Sequence, residues 1–177
     1  MNNIVIQIAD VEMTFAVTIY DDSGDMGAPW DNDDFHGPVT DWVRREKRPD
    51  ELVLNTCSSG QKRFYNFKEA CAIALRDGWG CKDLDGTETP RQKAAMAARA
   101  DYNHLRAWCN DEWSYVGIEV ILLDSEGDPT EVSENMCGVE SNDNLESHAW
   151  TLADDLAHGL HTRFQPVTQT ITSFKLI

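Results

Sequence analysis

The chain predicts an α+β fold: an antiparallel sheet with three main helices packed on one face. Three observations lead there. Short β-branched and aromatic runs recur at the N-terminus and near residue 120, three other segments space their apolar residues three or four apart, and the two kinds do not alternate as a doubly wound parallel sheet requires. With 177 residues, a single domain spanning 1–177 is expected, long enough to bury a core.

Ile4, Ile6 and Ile8 fall on every second position, and the run from Met13 to Tyr20 is rich in β-branched and aromatic residues, so the two read as an N-terminal hairpin. Residues 21–38 concentrate Gly, Pro, Asp and Asn and read as a long acidic loop. Val39 to Lys47 suggests a short helix capped by Thr40 and stopped before Pro49, and Glu51 to Asn55 a short strand. Asn66 is positioned to cap a helix over Phe67 to Asp77 that Gly78 ends. Thr89 followed by Pro90 opens an alanine-rich helix running through Trp108, with Ala94, Ala98, Tyr102, Leu105 and Trp108 on one face. Ser114 to Leu123 and Thr130 to Val139 form a hairpin across the turn residues Asp124 to Asp128. Leu145 to Leu160 makes a last amphipathic helix, and VTQTITSFKLI a β-like tail.

The chain holds 31 Asp and Glu against 15 Lys and Arg, a formal charge of −16. A protein that neutralises phosphates needs the opposite balance, so direct nucleic-acid binding is not expected. Anionic membranes are excluded on the same ground, and no stretch approaches the length of a membrane span. The start has neither a basic region nor a long apolar one, which predicts a cytosolic protein. Five irregularly spaced cysteines without a CxxC pair read as free thiols.

The charge is segregated. Residues 1–38 carry −8, residues 39–100 carry +3 and residues 101–161 carry −13. Carboxylates three or four apart on a helix lie about 5–6 Å from one another, and those two apart on a strand about 6.6 Å, comparable to successive phosphates. Asp21, Asp22 and Asp25 form one such run, Asp31, Asp33 and Asp34 a second, and Asp124, Glu126 and Asp128 a third. Glu131 and Glu134 follow on the returning strand, and Asp143, Glu146, Asp154 and Asp155 decorate the final helix. Such a surface suits the positive groove of a nucleic-acid-binding protein. It also serves plain solubility.

No nucleophile elbow, phosphate loop or dinucleotide fingerprint occurs, so no enzyme and no cofactor is expected. His36 with Asp33, Asp34 and Asp41 is a metal or hydrolase reading of low specificity, and no metal is expected. The aromatic clusters at Trp108, Trp113 and Tyr115, and at Trp42 and Trp79, read as core anchors under loops, whereas Trp30, beside Phe35 in the acidic loop, is the expected exposed one and a candidate interface residue.

WCNDEWSYVGIEVILLD at 108–124, CGVES at 137–141 and LADDLA at 152–157 resemble a group of small acidic proteins recurring in tailed bacteriophages and prophages. DDSGDMGAPWDNDDFHGPVTDWVRREKRPDE at 21–51 and FKEACAIALRDGWG at 67–80 match the same group, with Cys137 standing where an aromatic is common. The resemblance implies phage origin and expression in a bacterial host's cytoplasm, and it carries over no catalytic residue. By class analogy it suggests an inhibitor of a host DNA-targeting defence complex, CRISPR or restriction, which resembles DNA in its charge layout. The other reading is a host-takeover adaptor binding a bacterial replication, transcription or regulatory protein through an aromatic patch. Monomer and homodimer are both open at this stage.

Overall fold

The N-terminal hairpin forms because its apolar residues have period two and Ala9, at φ 52°, turns the chain between them. In the computed structural model, which describes residues 3–32, 35–81 and 86–163, strand β1 spans Ile4–Ile8 and β2 spans Val11–Asp21. Two four-residue helices follow, α1 (Ser23–Met26) and α2 (Pro29–Asn32), then β3 (Glu51–Thr56), β4 (Lys62–Asn66), α3 (Phe67–Asp77) and α4 (Pro90–Cys109). The chain ends its described part with β5 (Tyr115–Leu123), β6 (Pro129–Glu140) and α5 (Leu145–Arg163). Helices and antiparallel pairs are mixed, as the α+β reading expects. Among the described residues, no helix is long and apolar enough to cross a membrane.

These elements divide into two units that interleave in sequence: unit 1 takes residues from 1–20, 116–139 and the segment from 143 on, and unit 2 takes 21–115 with 140–142. The helices are accordingly shared between two sheets, rather than stacked together on one face of a single sheet.

Unit 1 is a four-stranded sheet in the order β1-β2-β5-β6 carrying α5. The register pairs Ile4 with Phe15 and Ile6 with Met13, which sets alternate residues of both strands on the helix side. Ile4, Ile6, Phe15, Ile118, Val120 and Val139 are buried there against Ala149, Leu152, Ala153 and Ala157 of α5. Three alanines on the inner stripe let the helix approach closely, and each fully buried Ile or Leu contributes about 1.5–3 kcal/mol. Asn144 starts α5 by accepting the Ser147 N–H at 3.1 Å.

Unit 2 is built on β3 and β4, an antiparallel pair with a register shift between Val53 and Asn55. Phe64 and Tyr65 of β4 are fully buried, and α4 packs over the pair through Ala98, Tyr102 and Leu105. Both helix starts follow the sequence: Asn66 accepts the Glu69 N–H, and Thr89 and Gln92 make a reciprocal capping box with Pro90 at the first helical position. Gly78 closes α3 in the left-handed conformation, φ 71°, which a residue with a Cβ adopts only under strain.

Three expectations change. The helix expected over 39–47 is absent: Val39 bridges Tyr65, and Val43 and Lys62 exchange backbone hydrogen bonds at 2.9 Å, so this segment runs extended beside β4. β4 itself was not anticipated, because two cations in KRFYN hide its alternation. The acidic loop contains the two short helices α1 and α2. The expected β-like tail lies outside the described residues, and all five cysteines are free thiols.

One ion pair anchors unit 2. Glu51 is buried, accepts both terminal nitrogens of Arg45 at 2.7 Å and takes the Arg48 backbone N–H at 2.9 Å, while the Arg45 guanidinium lies over the Phe64 ring. The Arg45 hydrogen bonds hold the Glu51 carboxyl down to about 2, from an ordinary value near 4.5. A depressed carboxylate stabilises the fold above its unfolded value, so this contribution is lost as pH falls from about 4.5 toward 2. An acid titration followed by tryptophan fluorescence is expected to show that loss, and Glu51→Gln to flatten it while costing about 2–3 kcal/mol at neutral pH.

Candidate functional site

The acidic residues singled out from the sequence separate between the units. Asp124, Glu126 and Asp128 are exposed in the turn between β5 and β6, Glu131 and Glu134 are exposed on β6, and Glu146, Asp154 and Asp155 are exposed on α5, all in unit 1. Asp143, just before α5, is exposed and bonded to His148 at 2.9 Å. Asp21 ends β2, and Asp22, Asp25 and Asp31 follow in the α1–α2 segment of unit 2, whereas Asp33 and Asp34 lie outside the described residues.

Several of these carboxylates do structural work. Asp124 accepts the backbone N–H groups of Glu126 and Asp128 at 2.9 Å each, and those bonds hold its carboxyl below the usual range. Asp21 accepts both the N–H and the hydroxyl of Ser23 and is lowered in the same way. Asp22 is buried, and its backbone N–H donates to the Tyr115 carbonyl. Glu126, Asp128, Glu131, Glu134 and Asp155 are exposed and have no such task among the described residues.

Unit 1 carries 12 Asp and Glu against 2 Lys and Arg, so most of the protein's negative excess belongs to it. A groove of about 550 Å³ between β6 and α5 is floored by Leu152, Leu156 and Leu160 and edged by Glu131, Glu134 and Asp155, with Arg163 at its end. Apolar floor and acidic rim together fit a partner that presents cations around a hydrophobic contact.

Trp30 is not the exposed aromatic that the sequence suggested. Its ring meets Trp108 edge-on at 5.3 Å, and Arg63 sits between it and Trp42, with the guanidinium 4.8 and 4.9 Å from the two rings. Of the two aromatics in the acidic loop, Phe35 is the exposed one, at 75%. Trp113 and Tyr115 are buried, as expected of corner anchors.

A second constellation, not assembled by the sequence reading, lies in unit 2. His36 Nδ1 is 2.6 Å from Asp101 Oδ1, and the other oxygen of Asp101 accepts the Tyr65 hydroxyl at 2.6 Å and the Gly37 N–H at 2.8 Å. Burial, and then the bond to Asp101, pushes the Tyr65 phenol well above its usual range, which keeps it a donor. His104 Nε2 is 3.0 Å from Glu140 Oε1, and its ring stacks between Trp113, at 4.6 Å, and His36, at 6.1 Å. Both imidazoles are thus oriented by carboxylates. His104 and Asp101, but not His36, line a cleft of about 1110 Å³ together with Phe35, Arg76, Asp77, Trp79 and Cys81. The signal for this site was present in part: Ala97, Ala100, Asp101 and His104 share one face of α4 by helical spacing. Its link to His36, 65 residues away, was not.

No protein-family model, curated protein or solved structure matches the chain.

Proposed function

We propose that this protein is a phage accessory protein that inhibits a host DNA-targeting defence complex, CRISPR or restriction, by seating the acidic surface of unit 1 in the complex's cationic nucleic-acid-binding groove. The observation that carries the reading is the division of charge: 12 acidic against 2 basic residues in a unit whose carboxylates line a turn, a strand and a helix. The sequence resemblance to acidic phage proteins points the same way. Binding would occur in the host bacterial cytoplasm, without a cofactor and without direct contact to nucleic acid. Helix and strand spacings set these carboxylates apart by distances close to those of a phosphate backbone. A partner that normally releases counterions on binding DNA gains the same entropy from this surface. For the aromatic-patch alternative, Trp30 is packed against Trp108 and Arg63 while Phe35 stays exposed.

The test is displacement. Purified restriction nucleases and CRISPR effectors, each holding a fluorescent DNA duplex, are titrated with the protein between about 50 and about 200 mM salt. Loss of bound duplex at low salt, weakening steeply as salt rises, is expected for the true target. Absence of displacement across the panel at low salt, or displacement indifferent to salt, would overturn the reading.

A further inference from the structure

The groove of unit 1 opens where α5 leaves the sheet uncovered. In the order β1-β2-β5-β6 the helix packs nearest β1, at the opposite edge from β6. Val139 of β6 is still buried against the helix, but Glu131, Ser133 and Glu134 are exposed and line the groove. Half-buried Leu156 and Leu160 lie along its floor. Exposed Gly159 also lines it, and a Cβ added there meets nothing within 4 Å. β6 ends the strand order, so one of its edges pairs with no strand. Among the described residues, no backbone hydrogen bond from outside the sheet reaches residues 129–140. An open edge of this kind is a template for another strand. Its charge decides which strand. The side chains of Glu131, Glu134 and Asp155 make no hydrogen bond or ion pair among the described residues, and Arg163 is the one cation lining the groove. A second copy pairing edge to edge would set these carboxylates against their own kind, whereas Lys or Arg is attracted there.

The geometry points to strand addition: the groove binds an extended segment of a partner protein in which apolar residues alternate with Lys or Arg, paired to the free edge of β6. The segment's backbone lengthens the sheet by one strand, its apolar side chains lie over Leu156 and Leu160, and its cations meet Glu131, Glu134 and Asp155. This rests on the reading of unit 1 as the partner-facing surface, and it names the element which that surface accepts. A purely electrostatic contact takes any cationic groove, whereas an apolar floor beside a strand edge discriminates among them.

The experiment is a fluorescence-anisotropy titration of the full chain into a labelled peptide of about eight residues that alternates Lys and Val. A dissociation constant on the order of 10 μM is expected at about 50 mM salt, rising at least about 5-fold at about 200 mM. A Lys-Ser peptide keeps the charge, loses the apolar side chains and is expected to bind at least about 10-fold more weakly. Two further peptides are N-methylated at every Val or at every Lys. Successive N–H groups of a strand point to opposite sides, so the set that faces β6 loses its donors and is expected to bind at least about 10-fold more weakly than the other. Gly159→Phe fills the groove without changing a charge and is expected to weaken binding of the parent peptide at least about 10-fold. Circular dichroism confirms its fold, and Gly159→Leu replaces it if it does not fold. Binding is read without any effector, so the groove can fail while duplex displacement stands, and displacement can fail while the peptide binds. The inference is overturned if the Lys-Val peptide does not bind at millimolar concentration, if the Lys-Ser peptide binds equally well, if the two N-methylated peptides bind alike, or if a folded Gly159 variant binds as the parent does. Dimerisation of the chain alone in sedimentation, lost in the Gly159 variant, would assign the groove to a second copy and overturn it as well.

Discussion

Replacing Glu126, Asp128, Glu131 and Glu134 together by lysine is expected to weaken association with a cationic DNA-binding target by about 100-fold or more at low salt. All four side chains are exposed, in the β5–β6 turn and on β6, and none makes a side-chain hydrogen bond or ion pair among the described residues. The fold is expected to lose less than about 1 kcal/mol, because surface substitutions away from caps and networks cost little. Asp124 is deliberately left in place. Its carboxylate closes the turn through two backbone N–H groups, so Asp124→Lys would mix a folding defect with a binding one. A variant that unfolds no more easily than the parent yet no longer displaces duplex separates the two effects. Binding unchanged by the four substitutions would place the contact elsewhere.

Gly37→Ala is expected to be the most damaging single substitution in unit 2, costing about 3 kcal/mol or more in urea denaturation. A Cβ at this position would sit 2.5 Å from Tyr65 Cζ and 2.6 Å from Ala70 Cβ. Tyr65 is fully buried and cannot yield without giving up its bonds to Asp101 and to the Ala98 carbonyl. Disturbing Tyr65 also removes a donor from Asp101 and so loosens the carboxylate that orients His36. The control is Gly24→Ala, where an added Cβ meets nothing within 4 Å and stability is expected to stay close to that of the parent. Equal stability of the two variants would contradict the packing described for residues 37, 65 and 101.

Local chemistry was the legible part of the fold. Period-two apolar residues located β1, β-branched and aromatic runs located β2 and β5, the turn residues 124–128 placed β6 after them, and the caps at Asn66, Thr89 and Gly78 located α3 and α4. What failed was set by non-local partners. The segment from Val39 has a plausible helix cap at Thr40, yet the Thr40 hydroxyl accepts the Phe64 N–H, and the segment joins β4 instead. β4 is five residues long, and its two leading cations disguise a strand whose Phe64 and Tyr65 are fully buried. Such pairings between distant residues override propensity, and a single sequence carries no mark of them.

The same contrast holds for the sites. The carboxylate runs could be placed because spacing along one element fixes spacing in space, but which of them serve turns could not: Asp124 and Asp21 read like their neighbours until their N–H donors are seen. Trp30 sat among acids and glycines, which suggests exposure, and only the positions of Arg63 and Trp108 reveal why it is packed. The histidine–carboxylate constellation in unit 2 needed His36 and Asp101 to meet, an encounter fixed by the burial of Tyr65 and the fit of Gly37 against it.

The central claim is that unit 1's acidic turn, strand and helix are the surface a nucleic-acid-binding partner sees. Hydrogen exchange of the protein alone and in complex with the effector from which it displaces duplex tests this most directly. The account predicts new protection over residues 124–134 and 146–155. Protection confined to unit 2, or none in unit 1, would contradict it.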